Sequence, residues 1–491
     1  MHFRPLLIII PVAFSLITGL TTCTKDVGKI GNGYPEEISK IIVKKCATAG
    51  CHTNQSKSGA AGLSLETWSN LFDGDRGGAV CIPFSHEFST LFLFTNTDPA
   101  KGAVNTPIMP LSQYNNPRLP LSEIEMNTLT NWINSGAPDS DGRIAFADNS
   151  TRKKFYVTNQ SCDVITVFDT KTRLQMRYVN VGASGGIESP HMIKVSPDGK
   201  HYYTSFSVSG TVIQKFRTSD DQKAGEIFIG TGIWNTFVIS PDSKKAFIID
   251  WNSTGKIAYV DVENMAIMPG SPWSGFVWPH GSGLSPNGDT LYVTCQSGNF
   301  IYKIPVNDPS SFEEISIDPP QIPVNSAPIQ PHDIIFSPDN SMYFISCERS
   351  NDVRVFQRSN DSLLAIIQVG HQPVEFAISN SVSTPYLFVT CMVDSSTSET
   401  RGSVDVINYK TLQWEKRIKT KISEPHGIGL DDENNVVFVA NRNISNPIPP
   451  HHSTKCNGTN GFVSFIDLTS LQVLSKTIEV AVDPYSIAVR K

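Results

Sequence analysis

The chain has 491 residues, 39% of them hydrophobic and 18% charged, and a net charge of -6 at pH 7. No block of Lys or Arg stands out, which argues against nucleic acid as a partner. Such a length exceeds one ordinary core and calls for at least two domains, or a small domain joined to a closed repeat array.

Residues 1–22 carry one early basic residue, Arg4, followed by the apolar run Leu6 to Ile10 and Val12 to Leu20. That run has the length of a signal peptide's hydrophobic region, and no other stretch approaches about 18 apolar residues. It ends at Leu20-Thr21-Thr22-Cys23, which resembles a bacterial lipoprotein signal. The resemblance implies lipid on Cys23 as the mature N-terminus, a tether over 23–34, and attachment to a membrane by lipid alone, in the periplasm or at the cell surface.

From Pro35 the pattern becomes helical: Ile38, Ile41 and Ile42 fall on one face and deliver Cys46 to the end of a short amphipathic helix. Cys46-Ala-Thr-Ala-Gly-Cys51-His52 then offers two thiols and an imidazole suited to covalent haem, with four residues between the cysteines where the usual attachment signature has two. Met109, in Thr106-Pro-Ile-Met-Pro110, is the candidate second axial ligand, because a thioether suits haem iron and the prolines fix a non-helical loop. A disulfide between Cys46 and Cys51, or a zinc site drawing in Cys81 or His86, stands as an alternative on the same residues. Leu121-Ser-Glu-Ile-Glu125 predicts a capping box that opens a helix through Met126, Leu129, Trp132 and Ile133. Gly136-Ala-Pro138 stops it.

Residues 35–138 thereby resemble a class I type c cytochrome domain, and 139–151 read as a linker. The resemblance implies Cys46 and Cys51 as thioether anchors of one covalent haem c, with His52 and Met109 as axial ligands of its iron.

Beyond residue 152 short Val, Ile, Phe and Tyr runs alternate with Asp, Asn, Gly and Pro. One segment recurs, starting at His191, Asn235, His280, His332, Val374, His426 and Tyr485, at a spacing of roughly 40 to 60 residues. Seven copies of about four strands predict a seven-bladed β-propeller, closed because the last copy supplies one strand to the outer strands near Phe155 and Val164. Phe155 to Asp169 resembles the YVTN-type repeat of bacterial extracytoplasmic propellers. The expected fold is therefore multidomain: a small all-α cytochrome c domain plus an all-β seven-bladed propeller over 152–491.

Four histidines, His191, His280, His332 and His426, occupy the same repeat position, each after a proline. Gathered at a channel mouth they would bind a transition metal, act as acid or base, or receive an anionic substrate; as a plain consensus they would only hydrogen-bond between blades. Cys162 and Cys456 fall on neighbouring blades and form a candidate disulfide. No glycine-rich phosphate loop or Ser–His–Asp arrangement is legible. The expected function is extracytoplasmic electron transfer through one haem c, to or from a redox protein or small molecule, with the propeller as docking platform. The alternative is an oxidoreductase whose propeller channel holds a substrate or a second metal site and passes electrons through the haem.

Overall fold

The computed structural model describes residues 31–112, 117–208, 210–393, 402–445 and 447–490. The signal, the Cys23 lipidation and residues 23–30 of the tether lie outside them; the tether's last residues are described and packed, with Tyr34 buried in the helical cluster. Seven antiparallel sheets stand around one axis, six of four strands and one of five. Their inner strands are Pro484–Val489, Pro190–Val195, Trp234–Ile239, Pro279–Leu284, Pro331–Phe336, His371–Ile378 and Pro425–Asp431, each touching the next around a closed ring. Closure follows the predicted strand exchange: Phe155 faces Val489 and Tyr156 faces Ala488, so the chain's last strand completes its first sheet.

Aromatic and β-branched residues in successive strands build the seams between blades. Phe155 stacks on Phe438 of the adjacent sheet with ring centroids 4.0 Å apart, and Tyr202 stacks on Phe216 within its own sheet at 5.0 Å. Six of the seven inner strands begin with or pass through a proline preceded by a non-glycine residue of positive φ: Ser189, Trp278, Gln330, Gln372, Glu424 and Asp483. Proline is tolerated at a strand's first residue, where no ladder donor is needed.

The first 150 residues correct one expectation. Among the described residues they hold four short α-helices, α1 (Glu36–Lys45), α2 (Trp68–Phe72), α3 (Thr90–Thr95) and α4 (Glu123–Asn134), separated by turns and single 3₁₀ turns. The capping box on α4 forms as written in the sequence, and Ile38, Ile42, Leu129 and Ile133 pack in one apolar cluster. The helices do not stand apart as an all-α cytochrome domain. They form a layer against the flank of the propeller: Phe88 stacks on Tyr178 at 3.9 Å, the Ala79 N–H donates to Gln175 Oε1 at 2.9 Å, and Lys476 Nζ donates to the Asp75 carbonyl at 3.0 Å. The architecture is thus one seven-bladed propeller with a short helical N-terminal segment, not an all-α domain plus an all-β domain. Cys162 and Cys456 are disulfide-bonded, which ties the insert between Asn441 and Asn460 to the first sheet. Among the described residues no helix is long and apolar enough to cross a membrane.

Candidate metal centre

All seven inner strands share one irregularity. The ladder register shifts just after the leading residue, between Pro190 and Ile193, Trp234 and Thr236, Pro279 and Ser282, Pro331 and Ile334, Pro373 and Phe376, and Pro425 and Ile428, and opposite Pro484 between Val157 and Asn159. A bulge re-aims the side chains beside it. Here its result is a closed loop of rings across the axis: Tyr485 to His191 at 4.4 Å, His191 to His280 at 6.5 Å, His280 to His332 at 4.3 Å, His332 to His426 at 5.6 Å and His426 back to Tyr485 at 3.6 Å. All four histidines are buried.

Hydroxyls staple this ring in place. Thr294 donates to the His332 carbonyl at 3.2 Å, Ser346 to that of Val374 at 2.6 Å and Thr390 to that of His426 at 2.7 Å. Glycine is required at two positions for a related reason. A Cβ on Gly281 would stand 2.2 Å from the His332 carbonyl oxygen, and one on Gly427 would stand 2.4 Å from that of Tyr485.

Within the ring, ligand atoms of His332, Glu375 and His426 lie within 4.8 Å of one another. His332 Nε2 and both ring nitrogens of His426 are buried without a hydrogen-bond partner. Buried polar groups are rarely left so. On its other side His332 Nδ1 meets Glu348 Oε2 at 3.5 Å and Gln296 Nε2 at 3.2 Å, while Gln296 also donates to Glu348 at 3.3 Å. Trp251 Nε1–H donates to Gln296 Oε1 at 2.5 Å. Nδ1 donates to Glu348 when it carries the ring proton and accepts from Gln296 Nε2–H when it does not; in the first state Nε2 presents a lone pair to Glu375 and His426.

The electrostatics set His332 apart from its neighbours. Burial, then the other histidines, pushes His426 well below its ordinary range. Burial, then His280 and His332, does the same to His191, and burial with His332 takes His280 down to about 3. These imidazoles are neutral at physiological pH. Burial also works against charge on His332, yet the hydrogen bond and negative charge of Glu348 outweigh it and the net direction is up. Glu375 is raised by burial and by Asp333, with Lys194 and His332 opposing. Two imidazole nitrogens and one carboxylate form a donor set that suits a divalent transition ion.

The four Pro-His histidines thus meet around one axis, with His332 and His426 in the donor set and His191 and His280 beside it. Sequence reading passed over Glu375, Glu348 and Gln296. Glu375 follows Val374, one step past the repeat position, and the bulge brings it inward. Glu348 and Gln296 each follow the last residue of a middle strand, at the offset that also holds Gln160, Trp251 and Arg442.

Cys46, Cys51, His52 and Met109 lie elsewhere, lining a cavity of about 840 Å³ between the helical layer and the insert near His452. Their reading as a haem c site is corrected. The chain holds no Cys-x-x-Cys-His motif, because four residues, Ala47 to Gly50, separate the thiols. No separate cytochrome domain surrounds them, and Cys46 caps α1 in the helical cluster with its thiol pushed up to about 12, chiefly by burial. Covalent haem c on Cys46 and Cys51, iron ligation by His52 and Met109, and electron transfer through that haem are therefore not supported.

No protein-family model matches the chain, and no curated protein does. Solved structures do. A functionally unknown protein from Desulfotomaculum acetoxidans is 15% identical, covers 68% of this chain and 98% of its own, with a TM-score of 0.53. A putative 6-phosphogluconolactonase from Bacteroides uniformis is 12% identical, covering 69% of this chain and 99% of its own at a TM-score of 0.53. The periplasmic gluconolactonase of Pseudomonas aeruginosa is 16% identical, with coverage of 69% and 99% and a TM-score of 0.52. At these identities the likeness is one of fold, and it joins the covered part of the chain to other solved structures of the same fold.

Proposed function

We propose that the protein is a metal-dependent enzyme whose centre lies on the propeller axis, where His332 Nε2, a ring nitrogen of His426 and the Glu375 carboxylate hold a divalent transition ion. The observation that carries this reading is the convergence of those donors within 4.8 Å, with the histidine nitrogens unpartnered and buried. The reaction class we infer is hydrolysis of a small cyclic ester, the chemistry named for two propellers of the same fold.

Bound there, such an ion supplies Lewis acidity to a carbonyl oxygen. The chain's own groups do the rest. Glu348 favours the Nδ1–H tautomer of His332, and Gln296 donates to Glu348 and holds that carboxylate beside the ring. Asp333, raised by burial against the opposing charges of Lys194 and His332, is the nearby group that accepts or returns a proton. The aromatic loop His191–His280–Tyr485 limits bulk water at the axis. The Cys162–Cys456 disulfide supports work in an oxidising compartment outside the cytoplasm, in keeping with the lipoprotein-like leader.

The test is a zinc titration of chelator-stripped protein followed by an assay of D-glucono-1,5-lactone opening. The proposal expects one ion per chain, lost in His332→Ala, His426→Ala and Glu375→Gln, and lactone opening that falls with it. Zinc binding that survives all three substitutions would refute the centre; a bound ion with no ester or lactone hydrolysis would refute the reaction class.

A further inference from the structure

The mouth of the channel is built from a second repeat position. In six of the seven blades the residue that follows the second strand donates its backbone N–H to the residue before the leading residue of the inner strand in the same sheet, as in Trp251 to Ile233 (2.9 Å), Gln296 to Trp278 (2.9 Å) and Glu348 to Gln330 (2.8 Å). This hydrogen bond places the two members of each pair side by side at the rim. Two of these rim residues are tryptophans, Trp251 and Trp278, from different pairs. Their rings lie 5.0 Å apart at 59°, both half-buried, leaving an aromatic surface open to solvent.

Trp278 holds this place with φ at 44°, a left-handed conformation that a bulky residue rarely adopts. Trp251 has its indole N–H spent on Gln296, which itself touches His332. The Trp251 indole is therefore fixed in orientation and tied by two hydrogen bonds to the proposed metal ligand, and Trp278 packs against it. Aromatic faces held beside a polar site bind the apolar C–H face of a ring whose hydroxyls remain free for hydrogen bonding.

Charge at this rim narrows the ligand further. Its cation among these positions, Arg442, is already held by Asp483 through two contacts of 2.6 and 3.0 Å, and Glu348 adds a negative charge between the tryptophans and His332. Among the described rim residues a phosphate or carboxylate substituent would face Glu348, which repels it, while Lys194 deeper in the channel already faces Glu375 and Asp333.

We infer that Trp251 and Trp278 form a stacking platform for an uncharged polyhydroxylated ring, a sugar or sugar lactone without phosphate, delivered to the His332 centre. This rests on the channel reading above and specifies its substrate.

Calorimetric titration of the zinc-loaded full chain with D-glucono-1,5-lactam, a neutral ring that does not hydrolyse, tests it against 6-phospho-D-gluconate. The lactam is expected to bind and to quench tryptophan fluorescence, while the phosphorylated acid binds at least about tenfold more weakly. Trp278→Leu is expected to weaken lactam binding by about tenfold or more with zinc affinity unchanged, and Trp251→Leu, which also frees Gln296, to weaken lactam binding by a similar factor when measured at saturating zinc. Should either variant fail to fold, the comparison of neutral and phosphorylated ligands on the natural protein still decides. Equal or tighter binding of the phosphorylated ligand, no lactam binding to zinc-loaded protein, or full lactam affinity in both tryptophan variants would overturn the inference. Lactam binding without any zinc binding would leave the platform standing and remove the metal centre instead, so the two failures are distinct.

Discussion

Glu348→Gln is the substitution that separates an organised metal site from a chance meeting of histidines. Glu348 Oε2 stands 3.5 Å from His332 Nδ1 and shares Gln296 with it. A full charge at that separation interacts by about 5 kcal/mol at an effective dielectric near 20. The glutamine keeps an acceptor oxygen of the same shape, so only part of that is lost. Removal of such an orienting partner costs about 10- to 100-fold in metal affinity, or roughly 1.4–2.7 kcal/mol. Competition against a chromophoric chelator reads the change directly, with His332→Ala as the reference for complete loss. Zinc affinity within about twofold of the natural protein, while His332→Ala abolishes binding, would refute the orienting role of Glu348.

Gly281→Ala forces a Cβ to within 2.2 Å of the His332 carbonyl; it should cost about 1–3 kcal/mol in urea denaturation and weaken zinc binding through displaced His332. The apo protein should respond to pH through Glu375. Its carboxyl is raised in the folded state, mainly by burial, so the protonated form is favoured there and stability falls as pH climbs from the ordinary carboxylate value through the raised one. Glu375→Gln removes that penalty, and the melting temperature of the apo variant should exceed that of the natural protein at about pH 8, with the gap closing near about pH 4. Reduction of Cys162–Cys456, which closes a loop spanning 294 residues, or the Cys162→Ser, Cys456→Ser double variant, should lower stability by about 3 kcal/mol in thermal unfolding.

Much of the propeller is legible in the chain because its signals are local and repeated. The Pro-His segments, the Asp and Asn turns and the strand left over at Tyr485 each report one blade, and seven reports agree on one closed ring. The helical segment misled for the converse reason. Cys46, Cys51, His52 and the α4 capping box are local signals too, but whether they make a separate domain depends on what the helices pack against, and Phe88, Ala79 and Asp75 turn that face to the propeller. At the axis, histidine position was readable from the repeat, whereas Glu375 was not. The repeat alignment put Val374 at the inward position, and the carboxylate that reaches the histidines sits on the next residue, inside the irregular stretch between Pro373 and Phe376. Glu348 and Gln296 escaped notice because their role comes from contact with His332, made by Glu348 within its own blade and by Gln296 from the neighbouring one, a relation that no spacing within the chain records.

Anomalous diffraction at the zinc edge, from crystals of the full chain grown with one equivalent of zinc, tests the central claim most directly. The account predicts one strong peak bonded by His332 Nε2, a ring nitrogen of His426 and Glu375, with Nδ1 of His332 still against Glu348. A map without density at that point, or with zinc only at surface carboxylates, would contradict it.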